Sequence, residues 1–250
     1  MKKILYLLFG GAVLCLASCW PIDNWDAPDC RFHGKLIDSY TGDNLMTSQN
    51  EFKIRVWEVS FTENTPQQQD LAVMQDGTYN HTKMFAGTWD MIPYNGPFWP
   101  VTDTTKNVVL TKETEQNFTV TPYLQLIEFN QRLDGLDLYL SCKLKAPRRQ
   151  GLPQLREVKP FLSLTPFCGQ GTNSRIDITE YENRRLQLNR SWGDEMARNG
   201  LDRDSETSIA YELGPLPVKS GYTYYVRVGA NVTAGGNAYN YTPIVKIVVP

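Results

Sequence analysis

Two histidines in 250 residues, His33 and His81, leave little room for histidine chemistry. Cys30 lies three residues before His33, but no second ligand pair stands near them and none stands near His81. That leaves a sequence-local zinc site without half its ligands and gives a histidine-based triad no support. Also missing are a Gly-x-Ser-x-Gly elbow, a His-Glu-x-x-His helix and a Gly-rich phosphate cradle before Lys-Ser/Thr. No cofactor or metal is implied, and the chain reads as a non-enzyme. Long basic runs are absent as well, with 25 Lys+Arg against 27 Asp+Glu, so nucleic acid is a poor partner. No apolar run reaches the ~20 residues that a membrane-spanning helix needs.

Cysteine is scarce, five in all, and one stands at the end of the longest apolar run. Lys2 and Lys3 precede apolar residues from Ile4 to Ala17, broken only by Gly10 and Gly11, which is the size of a secretory signal core. The run ends Leu16-Ala17-Ser18-Cys19, which resembles the lipobox of bacterial lipoproteins. That resemblance implies residues 1–18 as a cleaved signal peptide and Cys19 as the lipidated residue; the other reading is an ordinary signal peptide cut near here, with Cys19 unmodified. Two or three acyl chains bury enough methylenes, at ~0.8 kcal/mol each, to hold a protein on a bilayer without spanning it. Residues 19–29, polar and acidic, read as a tether. Of the remaining cysteines, Cys142 and Cys168 fall on or beside apolar strands, and two readings stay open, buried thiols or a bridge between them.

Strand patterns dominate the rest. EFKIRVWEVS alternates Phe52, Ile54 and Val56 with Lys53, Arg55 and Trp57, and KNVVLT and QNFTVTP follow the same period. Turn residues recur at Thr41-Gly42-Asp43-Asn44, Asp76-Gly77 and Asn95-Gly96-Pro97. The pattern restarts after Pro122 with YLQLIEF and GLDLYLSCKLK, where Leu136, Leu138, Leu140, Cys142 and Leu144 share a face. SGYTYYVRVGA sets Tyr224, Val226 and Val228 on one side and Tyr225 and Arg227 on the other, as in the tyrosine-corner strand of fibronectin-type and immunoglobulin-like sandwiches. The expected fold is all-β, with one sandwich over 30–122 and a second over 123–250. The polar stretch 172–204 reads as a short helix or a long excursion from the second. Charge divides along the same boundary. Residues 20–122 hold 7 Lys/Arg against 14 Asp/Glu, and residues 123–250 hold 16 against 13.

Candidate site residues are few. Tyr94-Asn95-Gly96-Pro97-Phe98-Trp99-Pro100 puts three aromatics on one loop, more rings than a turn requires. Flat rings stack on the apolar faces of sugars, so Tyr94, Phe98 and Trp99 form a candidate ligand-binding platform, with Trp192 as an addition. The other reading has Phe98 and Trp99 plugging the end of the first sandwich. Acid pairs for glycoside hydrolysis are available from Asp177, Glu180 and Glu182, or from Asp194 with Glu195, but 27 acids make such pairs commonplace. Lys143, Lys145, Arg148, Arg149, Arg156 and Lys159 form a basic cluster, suited to an anionic glycan or headgroup or to a solvated hairpin.

NWDAPD, HGKLIDSYTGDNL, QDGTYNHTKMFAGTWDMIPYNGPFWPV and NFTVTPYLQL together resemble a two-domain Bacteroidetes lipoprotein family, domain-of-unknown-function family 3823. The resemblance covers essentially the whole chain after Cys19. It implies a seven-stranded prealbumin-like (transthyretin or carboxypeptidase-regulatory-like) sandwich followed by an immunoglobulin-like one. It further implies an outer-membrane, polysaccharide-utilisation-type accessory lipoprotein that binds oligosaccharide without catalysis. The alternative is a structural subunit that docks on a starch-utilisation-type transporter and its capture lipoprotein and touches no sugar. Asp23, Asp26 and Asp29 suit the surface-export signals of this phylum, and a periplasmic face stays open beside the exterior one.

Overall fold

The computed structural model describes residues 26–49, 51–60, 65–171, 176 and 179–250, so Cys19 and the segment before it lie outside the described residues. The first sandwich is built from strands that alternate inward and outward. Along β1 (Cys30–Asp38) every even-numbered residue is buried, Phe32 and Leu36 completely. The strands β2 (Lys53–Glu58), β3 (Gln68–Ala72), β5 (Gly87–Tyr94) and β6 (Thr105–Leu110) form one sheet in the order β3-β2-β5-β6. The facing sheet holds β4 (Thr78–Met84), β1, β7 (Glu113–Glu115) and β8 (Phe118–Val120). Both β7 and β8 run parallel to β1, against its successive halves. Between them the chain leaves the ladder, where the Gln116 carbonyl accepts from the Tyr79 hydroxyl and Asn117 Oδ1 accepts from the Lys35 N–H at 2.8 Å. Eight strands therefore occupy seven positions around a core of Phe32, Ile54, Tyr79, Trp89 and Met91.

The second sandwich begins with β9 (Gln125–Asp134) and β10 (Asp137–Lys145), which pair with β13 (Ile209–Pro217) in the order β13-β10-β9. Its other sheet is β12 (Leu186–Arg190), β11 (Leu155–Ser163) and β14 (Thr223–Val232), with β15 (Tyr239–Tyr241) and β16 (Val245–Val248) dividing the far edge of β14. This three-plus-four arrangement is immunoglobulin/fibronectin-like. Tyr224 completes the corner, its hydroxyl accepting from the Lys219 N–H at 3.1 Å.

Residues 172–204 are not wholly an excursion. They supply α1 (Thr179–Glu182), the edge strand β12 and α2 (Trp192–Arg198). Ser191 caps α2 by accepting from the Asp194 N–H at 3.2 Å, and Trp192 and Met196 enter the second core. Cys142 and Cys168 are separate, buried free thiols, so the bridge reading fails. Burial pushes both thiols up to about 12, far from thiolate chemistry.

The two sandwiches meet along the outer face of β11, β14 and β15. These strands are buried on both faces over most of their length, unlike β10, which alternates. Phe161, Cys168, Tyr239 and Tyr241 form a small apolar cluster there, with Met46 of the first domain packed against it.

Candidate functional site

The four predicted rings are not gathered into a platform. Phe98 is 2% exposed and meets Phe52 edge-on at 5.3 Å inside the first core. Its successor Trp99 turns the other way, as consecutive residues of an extended chain do, and packs on the second core 5.3 Å from Tyr123. The Arg148 guanidinium lies 4.2 Å over the same indole. Tyr94 is exposed, but one face of its ring carries the Arg55 guanidinium at 3.7 Å, which Asp70 holds through two hydrogen bonds of 2.8 and 3.1 Å. Trp192 is 5% exposed and belongs to the second core. The loop 94–100 thus forms a covered seam rather than an open shelf, because its two consecutive rings are claimed by two different cores.

Hydrogen bonds seal that seam. Asn240 accepts from the Leu124 N–H at 3.1 Å and donates to the Pro97 carbonyl at 2.9 Å. Gln75 of the first domain donates to the Pro166 carbonyl at 2.9 Å and accepts from the Cys168 N–H at 3.1 Å. The Tyr239 N–H reaches Glu51 Oε1 at 2.9 Å, and the Gly171 N–H reaches the Ser48 hydroxyl at 3.0 Å. Arg227 is wholly buried, with its guanidinium 3.6 Å over the Tyr241 ring and no hydrogen bond among the described residues. Burial pushes the Glu51 carboxyl up to about 7, against the opposing pull of the Tyr239 N–H, Tyr241, Arg227 and the Ser48 backbone.

At one end the seam opens into a groove of about 1060 Å³. The first domain contributes Tyr40 and Thr41, from the turn after β1. The second contributes Gln125, the loop 145–152, Ser191-Trp192-Gly193, Arg203, Asp204 and Glu206. Tyr40 is 55% exposed, a ring available for contact. Its turn is fixed by Asp38, whose Oδ1 accepts from the Tyr40 N–H at 2.8 Å while Oδ2 accepts from Gln125 at 2.6 Å. The opposite wall is braced by Arg149, which donates to the Asp204 and Ser205 carbonyls. Arg203 donates to Asp194 at 2.7 Å.

The basic cluster is divided by this geometry. Lys145, Arg148 and Arg149 line the groove, whereas Lys143 pairs with Glu128 at 2.6 Å. Arg156 and Lys159 line a second, smaller cavity of about 500 Å³, with Glu51, Glu157, Glu182 and Tyr239. Two of its acids are engaged, Glu182 by Lys159, and Glu157 by the Tyr239 hydroxyl and, at 3.7 Å, by Arg185. Glu51, by contrast, accepts from the Tyr239 N–H through Oε1, and its Oε2 has no hydrogen bond among the described residues. Glu195 is buried and accepts from the Tyr211 hydroxyl at 2.9 Å, with Arg190 at 3.2 Å. Asp177 and the side chain of Glu180 lie outside the described residues. No group of three His, Cys, Asp or Glu side chains that could hold a metal occurs among the described residues, and no helix there is long and apolar enough to cross a membrane. The sequence reading missed Tyr40. Its signal was the turn Thr41-Gly42-Asp43-Asn44, which presents the preceding ring at a tip.

Two family models match the chain. They are the N-terminal domain of DUF3823, a protein of unknown function, over residues 30–121, and the DUF3823 C-terminal domain, of unknown function, over residues 124–246. No curated protein matches it. Among solved structures, a proposed carbohydrate-binding protein from Bacteroides uniformis aligns at TM-score 0.69 and 22% identity, covering 89% of this chain and 100% of that one. DUF3823 proteins from Bacteroides uniformis (TM-score 0.66, 21% identity) and Parabacteroides merdae (0.63, 20%) align with the same coverage. These likenesses establish the two-domain fold.

Proposed function

From the premise that this chain belongs to the DUF3823 family, we propose that it is a non-catalytic glycan-binding protein. It is held on the outer membrane through acylated Cys19 and serves a polysaccharide-uptake system on the cell exterior. One observation carries this reading: the interdomain groove, in which the exposed Tyr40 faces a wall rich in hydrogen-bond donors. Carbohydrate sites combine a flat ring with convergent polar groups, and clefts between domains are common ligand sites. The carbohydrate-binding description of the Bacteroides uniformis protein supports the same class of ligand. Glu157 and Glu182 of the second cavity are each held by a cation or hydroxyl, which lends little support to hydrolysis by that pair.

The test is retention of the full chain in gels or columns carrying bacterial and plant polysaccharides. Tyr40→Ala should abolish most retention while leaving the melting temperature within a degree or two. Unchanged retention would remove the groove from consideration.

A docking role has its own support. Leu136, Tyr222 and Val248 are exposed apolar residues at one pole of the second domain, where Val218 bonds to the Leu136 carbonyl and Val249 to the Tyr222 carbonyl. Pull-down from detergent-solubilised outer membrane with this chain as bait, and with Leu136→Asp/Val248→Asp, would test it. Co-purification of a transporter that the double variant loses is the expected result on this reading, and recovery of the bait alone would count against it.

A further inference from the structure

We propose that the ligand of the groove is an acidic oligosaccharide, one bearing carboxylate or sulfate groups, and that Arg148 and Lys145 recognise the acid. The inference rests on the glycan-binding reading and names its substrate class. Four cations line the groove, Lys145, Arg148, Arg149 and Arg203, against Asp204 and Glu206. Two of them are already employed. Arg149 holds the backbone at Asp204 and Ser205, with Glu206 at 3.6 Å, and Arg203 is paired with Asp194. Lys145 and Arg148 are exposed, and neither has a carboxylate within ion-pair distance among the described residues.

Arg148 is also held in place. Its guanidinium is stacked on Trp99, and Trp99 is packed on Tyr123 at the domain junction. The contact holds the guanidinium against the ring, and its N–H donors have no hydrogen bond among the described residues, which leaves them available for two-point binding of a carboxylate or sulfate. A neutral sugar settling here would desolvate two cations and offer only uncharged hydroxyl acceptors in return. An acidic sugar would supply the missing counter-charge. The groove also lies largely in the half of the molecule where Lys/Arg exceed Asp/Glu, 16 to 13.

The full chain, purified in detergent, is tested by affinity electrophoresis and calorimetry against four probes: polygalacturonate, dextran sulfate, neutral dextran and polyglutamate. The expected result is binding to polygalacturonate or dextran sulfate, weakened at least tenfold in Lys145→Ala/Arg148→Ala and less in Arg148→Lys, with neutral dextran and polyglutamate bound far more weakly. The two acidic arms tell uronate from sulfate. If neutral dextran binds as well as the acidic polymers and the double variant binds normally, the acidic class is overturned while glycan binding stands. Equal binding to polyglutamate would make this a general polyanion surface and would overturn the inference too. If no glycan binds the unmodified chain, both the inference and the functional reading fail. Because Arg148→Ala removes a contact to Trp99, the exposed single variant Lys145→Ala is measured beside it. A loss of affinity for the acidic probe at unchanged melting temperature is expected there, and no loss in either variant would count against the assignment.

Discussion

The two sheets of the second domain differ in what covers their outer faces. In the sheet β13-β10-β9, the outer face is open to water, and Tyr139, Ser141 and Lys143 along β10 are only half-buried. In the sheet of β11, β14 and β15 the corresponding face is pressed against the first domain, and Lys159, Phe161, Arg227 and Tyr241 are all buried. Identical sandwich physics builds both sheets. The difference lies in the second domain's neighbour, which turns one outer surface into an interior and forces its charges and rings to find contacts in a buried seam. Four substitutions probe that contrast, beginning with the largest effect.

Phe161→Ala removes a fully buried ring that meets Tyr239 and Tyr241 edge-on at 5.3 and 5.4 Å. Buried Phe→Ala changes cost about 3–5 kcal/mol, and this one should lower the denaturant midpoint by that equivalent. A loss under 1 kcal/mol would mean that the seam is not packed as an interior, and the contrast between the sheets would collapse.

Glu51 gives the same contrast a pH dependence. Its carboxyl is pushed up to about 7 from an ordinary 4.5 by burial in the seam, so the folded state holds the proton more tightly than the unfolded chain does. The stability this contributes is full below pH ~4.5 and is lost as pH rises through about 7. Glu51→Gln keeps an acceptor for the Tyr239 N–H and removes the ionisation. Its melting temperature should match that of the parent at pH 4 and exceed it at pH 8.5, by the equivalent of roughly 3 kcal/mol at most. Equal melting temperatures at both pH values would show that the carboxylate is solvated.

Much of the first comparison was legible in the residues, and its missing half was not. The alternation Leu138, Leu140, Cys142, Leu144 marked the inward face of β10, and all four are buried. Leu136 shares their parity yet is exposed, because β9 ends at Asp134 and β10 begins at Asp137, leaving it in the turn. Parity also set Tyr225 and Arg227 opposite Tyr224 and Val226. It could not say that the opposite face is an interface, since a period of two reports sidedness and never what lies on the other side. The same limit left the aromatic loop open between a platform and a plug, and the plug holds for Phe98 while Trp99 goes to the other domain. Phe98 and Trp99 stand on opposite sides of the chain, and only the presence of two cores decides that the first is buried in one and the second half-buried against the other. The basic residues from Lys143 to Lys159 read as one cluster, yet they span the strand ends of β10 and β11, which send them to different surfaces.

Gln125→Ala tests the mouth of the seam. The Gln125 amide donates at 2.6 Å to Asp38, whose other oxygen holds the Tyr40 turn. Hydrogen bonds to a charged group are worth about 1.5–3 kcal/mol when shielded, and this half-open one should give about 1 kcal/mol. The more telling readout is glycan retention, which should fall because Tyr40 loses its brace and the groove loses the Gln125 amide from its lining. Normal retention at reduced stability would separate the turn from the binding site.

The smallest effect belongs to the open sheet. Arg132 lies 4.1 Å over the Tyr139 ring and also reaches Asp134 at 3.3 Å, with more than half of the arginine side chain exposed. Exposed cation–π pairs are worth about 0.5–1 kcal/mol, and an exposed ion pair adds little to that. Arg132→Ala should accordingly shift the denaturant midpoint by the equivalent of less than about 1 kcal/mol, and salt should shrink the difference further. The buried counterpart, Arg227 over Tyr241, differs in its surroundings more than in its geometry, 3.6 against 4.1 Å. If Arg132→Ala cost several kcal/mol, the outer face of β10 would itself have to be covered, and a further partner would be required to cover it.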